Sequence, residues 1–162
     1  MTPETDARTA LLRHTVATVA YRGAKVLRGA AAECAGFKLS PTTRTPADIL
    51  AHVGDLYDWA LALAQGRHEW HDSQPLPWQQ ETERFFRTIA AFDGYLASNL
   101  PLGLPAENLF QGPVADSLTH IGQLAMLRRI SGSAIRGENY AKAQIAIGQV
   151  GPNQTTPRKE FG

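Results

Sequence analysis

The chain has five histidines, His14, His52, His68, His71 and His120, and helical spacing turns two of them inward. His52 lies among Ile49, Val53 and Leu56, and at about 100° per residue its ring falls within about 20° of Trp59 and Leu63. Further along, Asp116, His120, Gln123 and Leu127 share one narrow sector of another helix. Asp116 and His120 are one turn apart, so their side chains project about 6 Å from each other and can grip one ion. Together with an imidazole from a second helix they form a facial set of three ligands. Such a set suits Zn²⁺, Ni²⁺ or Fe²⁺ and leaves positions open for water or substrate. Each residue also has a plainer role: an inward histidine serves as a hydrogen-bonded core group, and an aspartate in a first helical turn complements the helix dipole. Asp55, Trp59 and Gln123 fall on the same helix sectors, the polar pair as candidates to orient ligands or substrate and Trp59 as an apolar wall.

Other groups compete for attention. His68 and His71, in His68-Glu69-Trp70-His71, have the spacing that holds a metal on a helix, but they fall in a polar connection at a helix end. His14 sits near an exposed face. Cys34 lacks a local base or cation to activate it and reads as a small buried residue. Gly137-Glu138-Asn139-Tyr140 is either a surface turn or a segment packed over a pocket mouth.

The elements that must position these residues are helices. Leu12, Val16, Val19, Gly23, Leu27 and Ala31 recur at three- and four-residue steps and predict a helix over about 6–34. Thr45 as N-cap, Pro46 at the first helical position and Asp48 three residues after the cap start a second helix, which runs to about 66. The polar stretch from Gly66 to Pro77 is long enough to cross from one end of a bundle to the other. Trp78, Phe85, Ile89, Phe92 and Leu96 mark a third helix over about 78–99, and Pro113 opens a fourth that lasts to about 131. Residues 132–162 read as an irregular tail with at most one short helix, and no segment reads convincingly as a strand. The fold class is therefore all-α, a four-helix bundle forming a single domain over 1–162, and bundle cores commonly build metal sites from inward side chains.

Composition sets outer limits. The chain has 162 residues, and sixteen Lys+Arg against fifteen Asp+Glu leave a net charge of +1 with no basic stripe, which argues against a nucleic-acid partner. No apolar run approaches the roughly 20 residues of a membrane span. Cys34 is the single cysteine, and Met1 to Asp6 lacks the basic-then-apolar order of a signal peptide, so a cytoplasmic protein is expected.

Two segments resemble the DinB superfamily of metal-binding four-helix bundles, which includes thiol-dependent S-transferases. Pro46-Ala47-Asp48-Ile49-Leu50-Ala51-His52-Val53-Gly54-Asp55-Leu56-Tyr57-Asp58-Trp59 is similar to the second-helix segment holding that family's first metal histidine. Asp116-Ser117-Leu118-Thr119-His120-Ile121-Gly122-Gln123-Leu124 is similar to its fourth-helix His-x-x-x-His pattern, with Asp116 in place of the first histidine. The resemblance covers about 6–135 and implies an up-down-down-up bundle. It also implies a divalent transition metal on His52, Asp116 and His120, and transfer of a low-molecular-weight thiol to a small electrophile, or a related hydrolysis. Asp116 would give a two-histidine, one-carboxylate site whose extra negative charge weakens the Lewis acidity of the metal. The other reading is a non-catalytic bundle that binds a small molecule or dimerises without metal. A homodimer fits either reading, because symmetric pairs are the commonest assemblies.

Overall fold

The computed structural model describes residues 6–162, which are mostly helical, with four long helical runs and one small two-stranded sheet. Met1 to Thr5, which carry most of the leader-sequence reading, lie outside the described residues.

Helix α1, Ala7–Leu27, buries the predicted stripe of Leu12, Val16, Val19, Gly23 and Leu27. It stops well short of residue 34. Arg28 is extended, Gly29 takes a left-handed φ of 67°, and a separate 3-10 turn follows over Ala32–Gly36, leaving Ala31 exposed. The stop has a long-range cause. Arg128, buried at the far end of the chain's last helix, donates from Nη1 to the carbonyls of Val26 (2.6 Å) and Arg28 (2.8 Å), capping α1 with a guanidinium.

Helix α2, Pro46–Ala64, begins where the sequence predicts. The Asp48 N–H donates to Thr45 Oγ1 (3.1 Å) and the Thr45 N–H donates to the Asp48 carboxylate (3.0 Å), a reciprocal capping box. The helix ends against a later loop: the Gly103 N–H donates to the Ala64 carbonyl (2.8 Å), and a Cβ on Gly103 would overlap the Gly66 backbone. Helix α3, Trp78–Ala97, buries Phe85, Ile89, Phe92 and Leu96 and leaves Gln79, Gln80, Glu83 and Arg87 exposed.

The fourth run starts earlier than expected. It comprises α4, Ala106–Leu109, a π-helical turn over Phe110–Val114, and α5, Ala115–Ile130. Pro113 therefore lies inside the run rather than at its head. Proline supplies no N–H and crowds the preceding turn, so an α-helix would break there, and the wider π turn takes it in. As a consequence His120 stands near the middle of its helical run, not near the start.

Helices α1 and α2 each pack against both α3 and α5. Arg13 near the start of α1 holds Asp93 near the end of α3 (2.8 Å), and Gly23 near the end of α1 faces the Phe85 ring near the start of α3. On the other flank, Arg84 donates to the Ala51 carbonyl (3.1 Å), and the Tyr57 and Phe92 rings lie 6.0 Å apart. Tyr57 also shares a hydrogen bond with Ser117 of α5 (3.0 Å), while Arg8 pairs with Glu107 of α4 (3.1 Å).

The tail is more ordered than its sequence suggests. Two-residue strands β1, Gly137–Glu138, and β2, Glu160–Phe161, pair antiparallel, and a 3-10 turn spans Tyr140–Lys142. The expectation of no strand is corrected on this point: two residues are too few to show an alternating pattern. Glu138 is buried and accepts from Tyr21 Oη and Lys25 Nζ (2.6 Å each), so the tail covers the polar side of α1. Among the described residues no helix is long and apolar enough to cross a membrane.

Candidate metal site

The inward face of α2 and the middle of the last helical run bring His52, Asp116 and His120 together. Asp116 Oδ2 lies 3.7 Å from His52 Nε2 and 3.5 Å from His120 Nε2, and the two imidazole rings meet edge to face at 4.7 Å. One ligand atom from each residue falls within 4.8 Å of the others, a group that could hold a metal ion. Ligand atoms about 2.1 Å from a tetrahedral ion stand about 3.4 Å apart, so the observed spacings fit the group with little adjustment.

The protonation states also fit. Gln123 Oε1 lies 2.8 Å from His120 Nδ1, within reach of an Nδ1–H, and the tautomer that donates there presents its Nε2 lone pair to an ion. Burial depresses the pKa of His52, helped by the nearby His120 and Arg44 and opposed by Asp116, so the neutral ring is favoured. Asp116 turns its other oxygen toward Thr119, whose hydroxyl lies 3.4 Å from Oδ1.

The two imidazoles open onto a cavity of about 520 Å³ that Gln123 also lines, with Ile49, Met126 and Leu127 as its apolar wall. Trp59 does not line it. That indole borders a second hollow on the Asp116 side, with Gly112 and Thr119, and stacks edge-on against Trp70 at 5.7 Å. Trp70 in turn meets the His52 ring at 5.6 Å. The connection between α2 and α3 thus covers one side of the histidine pair. Thr43, Arg44, Met126 and Trp70 were absent from the sequence reading of the site. Arg44 had a legible signal, since it directly precedes the N-cap of α2 and so belongs to the same helix end as His52; Trp70 had none, because nothing in a loop sequence says which way it folds back.

Asp55 is engaged elsewhere. It is buried, and it accepts from the Ser73 N–H (2.8 Å), Ser73 Oγ (2.7 Å) and Arg84 Nη2 (2.5 Å), with His71 Nε2 at 3.0 Å. Burial alone would raise its pKa, but the Ser73 and Arg84 hydrogen bonds outweigh that and hold it below the usual carboxylate range. Asp55, Asp58 and His71 form a second group with metal-ligand spacing. Arg84 Nη2 sits among them, also 2.9 Å from Asp58 and 3.5 Å from His71, and supplies the positive charge that an ion would. His71 therefore works with Asp55 and Asp58, while His68, its expected helical partner, is exposed in a non-helical segment. Cys34 is buried with its sulfur 3.5 Å from Ser131 Oγ, and His14 is exposed. The Glu138 to Tyr140 segment packs on α1, where Tyr140 lies over Arg22 and edge-on to Tyr21, and not over the cavity beside His52.

No family model, curated protein or solved structure matches the chain.

Proposed function

We propose that the chain is a DinB-like bundle in which His52, Asp116 and His120 hold one divalent transition metal ion beside a small-molecule site, and that it transfers a low-molecular-weight thiol or carries out a related hydrolysis. The observation carrying this reading is that two imidazole Nε2 atoms and one carboxylate oxygen converge at the edge of a cavity large enough for a small substrate. A cation bound there supplies Lewis acidity, which acidifies a thiol or water toward its nucleophilic form at neutral pH. The chain's own residues do the positioning. Gln123 fixes the tautomer of His120, burial keeps His52 neutral, and Ile49, Met126 and Leu127 offer an apolar wall to the substrate body. Trp70 shields His52 from the other side.

An up-down-down-up arrangement belongs to the same proposal. It is supported by the pairing of α1 with α3 start to end, through Arg13–Asp93 and Gly23–Phe85, and of α2 with α3 start to start, through Ala51–Arg84. The connection from Gln65 to Pro77, which runs back beside α2 through Trp70 and Ser73, gives the crossover that parallel neighbours need. The single buried thiol of Cys34 suits a reducing cytosolic compartment.

The test is elemental analysis of untagged protein beside His52→Ala and Asp116→Ala. About one zinc, nickel or iron per chain, lost in both variants, is expected for a three-ligand site. Wild-type protein that takes up none of these ions would refute the reading and favour a metal-free bundle that binds a small molecule or pairs with itself.

A further inference from the structure

We infer that Arg44 forms an anion subsite in the cavity beside His52 and His120, and that the small molecule bound there is a carboxylate whose apolar body lies along Ile49, Met126 and Leu127. This rests on the metal reading above and names the substrate class for that site. Arg44 lines the same cavity as the two imidazoles, and no carboxylate lines it. The two buried arginines are committed: Arg84 is held by Asp55, Asp58 and Glu81, and Arg128 by the α1 carbonyls. Arg44 is exposed at the cavity edge and its charge is felt by Asp48 and His52, but it makes no ion pair and no side-chain hydrogen bond among the described residues, so its guanidinium retains all five donors.

The backbone under Arg44 is held on both sides. Before it, Thr43 Oγ1 donates to the Ser40 carbonyl and accepts from the Ser40 N–H, at 3.0 Å each. After it comes the Thr45–Asp48 capping box. A cation on a fixed stem loses less freedom on binding than one on a free loop, and the guanidinium fork matches the two oxygens of a carboxylate. Gln123 adds a neutral donor, since its amide nitrogen is left over once Oε1 has accepted from His120. An acidic group on the ligand would meet Arg44 while a soft or hydroxylic group of the same molecule lies near the imidazoles.

The experiment uses the zinc-loaded full chain and two probes of equal length, 6-mercaptohexanoate and 6-mercaptohexan-1-ol, titrated calorimetrically against wild type, Arg44→Gln and Arg44→Lys. Zinc content and the urea midpoint are measured on each protein. Wild type is expected to bind the carboxylate about tenfold more tightly than the alcohol. Arg44→Gln should bring the two affinities together with zinc content unchanged, and Arg44→Lys should keep part of the preference. Equal affinities in wild type, or a preference untouched in Arg44→Gln, would overturn the anion subsite and leave the metal site standing. A wild-type chain that takes up no zinc would overturn both.

Discussion

Replacing Asp55 with alanine tests whether this residue serves the site or the scaffold, and the structure gives the size of the effect. Asp55→Ala removes two hydrogen bonds from Ser73 and one from Arg84, and takes a carboxylate from beside His71. Hydrogen bonds to a charged acceptor contribute about 1.5–3 kcal/mol each when buried. Their full sum is not lost, because Ser73 can turn to water once the loop lifts, and Arg84 keeps Asp58, Glu81 and the Ala51 carbonyl. A buried charge left with no partner costs about 3–5 kcal/mol. Partial retention of Arg84 places the expected loss at about 3 kcal/mol, read as a drop in the urea midpoint at constant slope. Zinc stoichiometry should be unchanged in the folded variant, since no atom of Asp55 belongs to the His52 group. A midpoint shift worth less than about 1 kcal/mol, or loss of zinc from a fully folded variant, would refute the assignment of Asp55 to the scaffold.

Two further outcomes are expected. Gln123→Ala removes the acceptor that fixes the His120 tautomer, and zinc affinity measured by competition with a chromophoric chelator should fall about 10- to 100-fold while the urea midpoint stays near wild type. The pKa values of Asp48 and Asp55 are both held below the ordinary value, so the stability they contribute is present above their unfolded pKa, about 3.9, and is lost as pH falls through their lower folded values. Thermal unfolding followed from pH 7 to pH 2 should show that component disappearing only below about pH 4, and its size should shrink in Asp55→Ala.

Helix α2 and α3 were readable because their start signals and apolar stripes are local: Thr45, Pro46 and Asp48 lie within one turn of each other, and Phe85, Ile89 and Phe92 keep one period. Spacing within each helix also pointed to His52, Asp116 and His120, which the structure brings together, but Asp116, expected on a partly buried sector, is exposed. What could not be read were features set by distant partners. The end of α1 depends on Arg128, about a hundred positions away in the chain. Asp55 shares a helix sector with His52, yet Ser73 and Arg84 claim it, and neither is visible from α2 alone. Gly137 pairs with Phe161 across the whole tail, a contact that no window of sequence spans. Pro113 misled in a different way: proline is common at the first position of a helix, and the sequence gives no sign that a π turn has absorbed it.

The π turn at Phe110–Val114 carries one residue more than an α-helical turn over nearly the same arc and rise. Pro113 can therefore be deleted with little change downstream: ordinary α-helical bonding resumes, Asp116 and His120 stay beside His52, and Ile121 and Leu124 stay in the core. A second deletion has no surplus residue to draw on and turns everything downstream by about 100°, with a slide of about 1.5 Å. Only then would Asp116 and His120 leave His52, and Ile121 and Leu124 leave the core together with them. Point changes at Phe110 or Gln111, both exposed, carry no such penalty. The segment should therefore tolerate wide variation in residue type and the loss of one residue, but not of two.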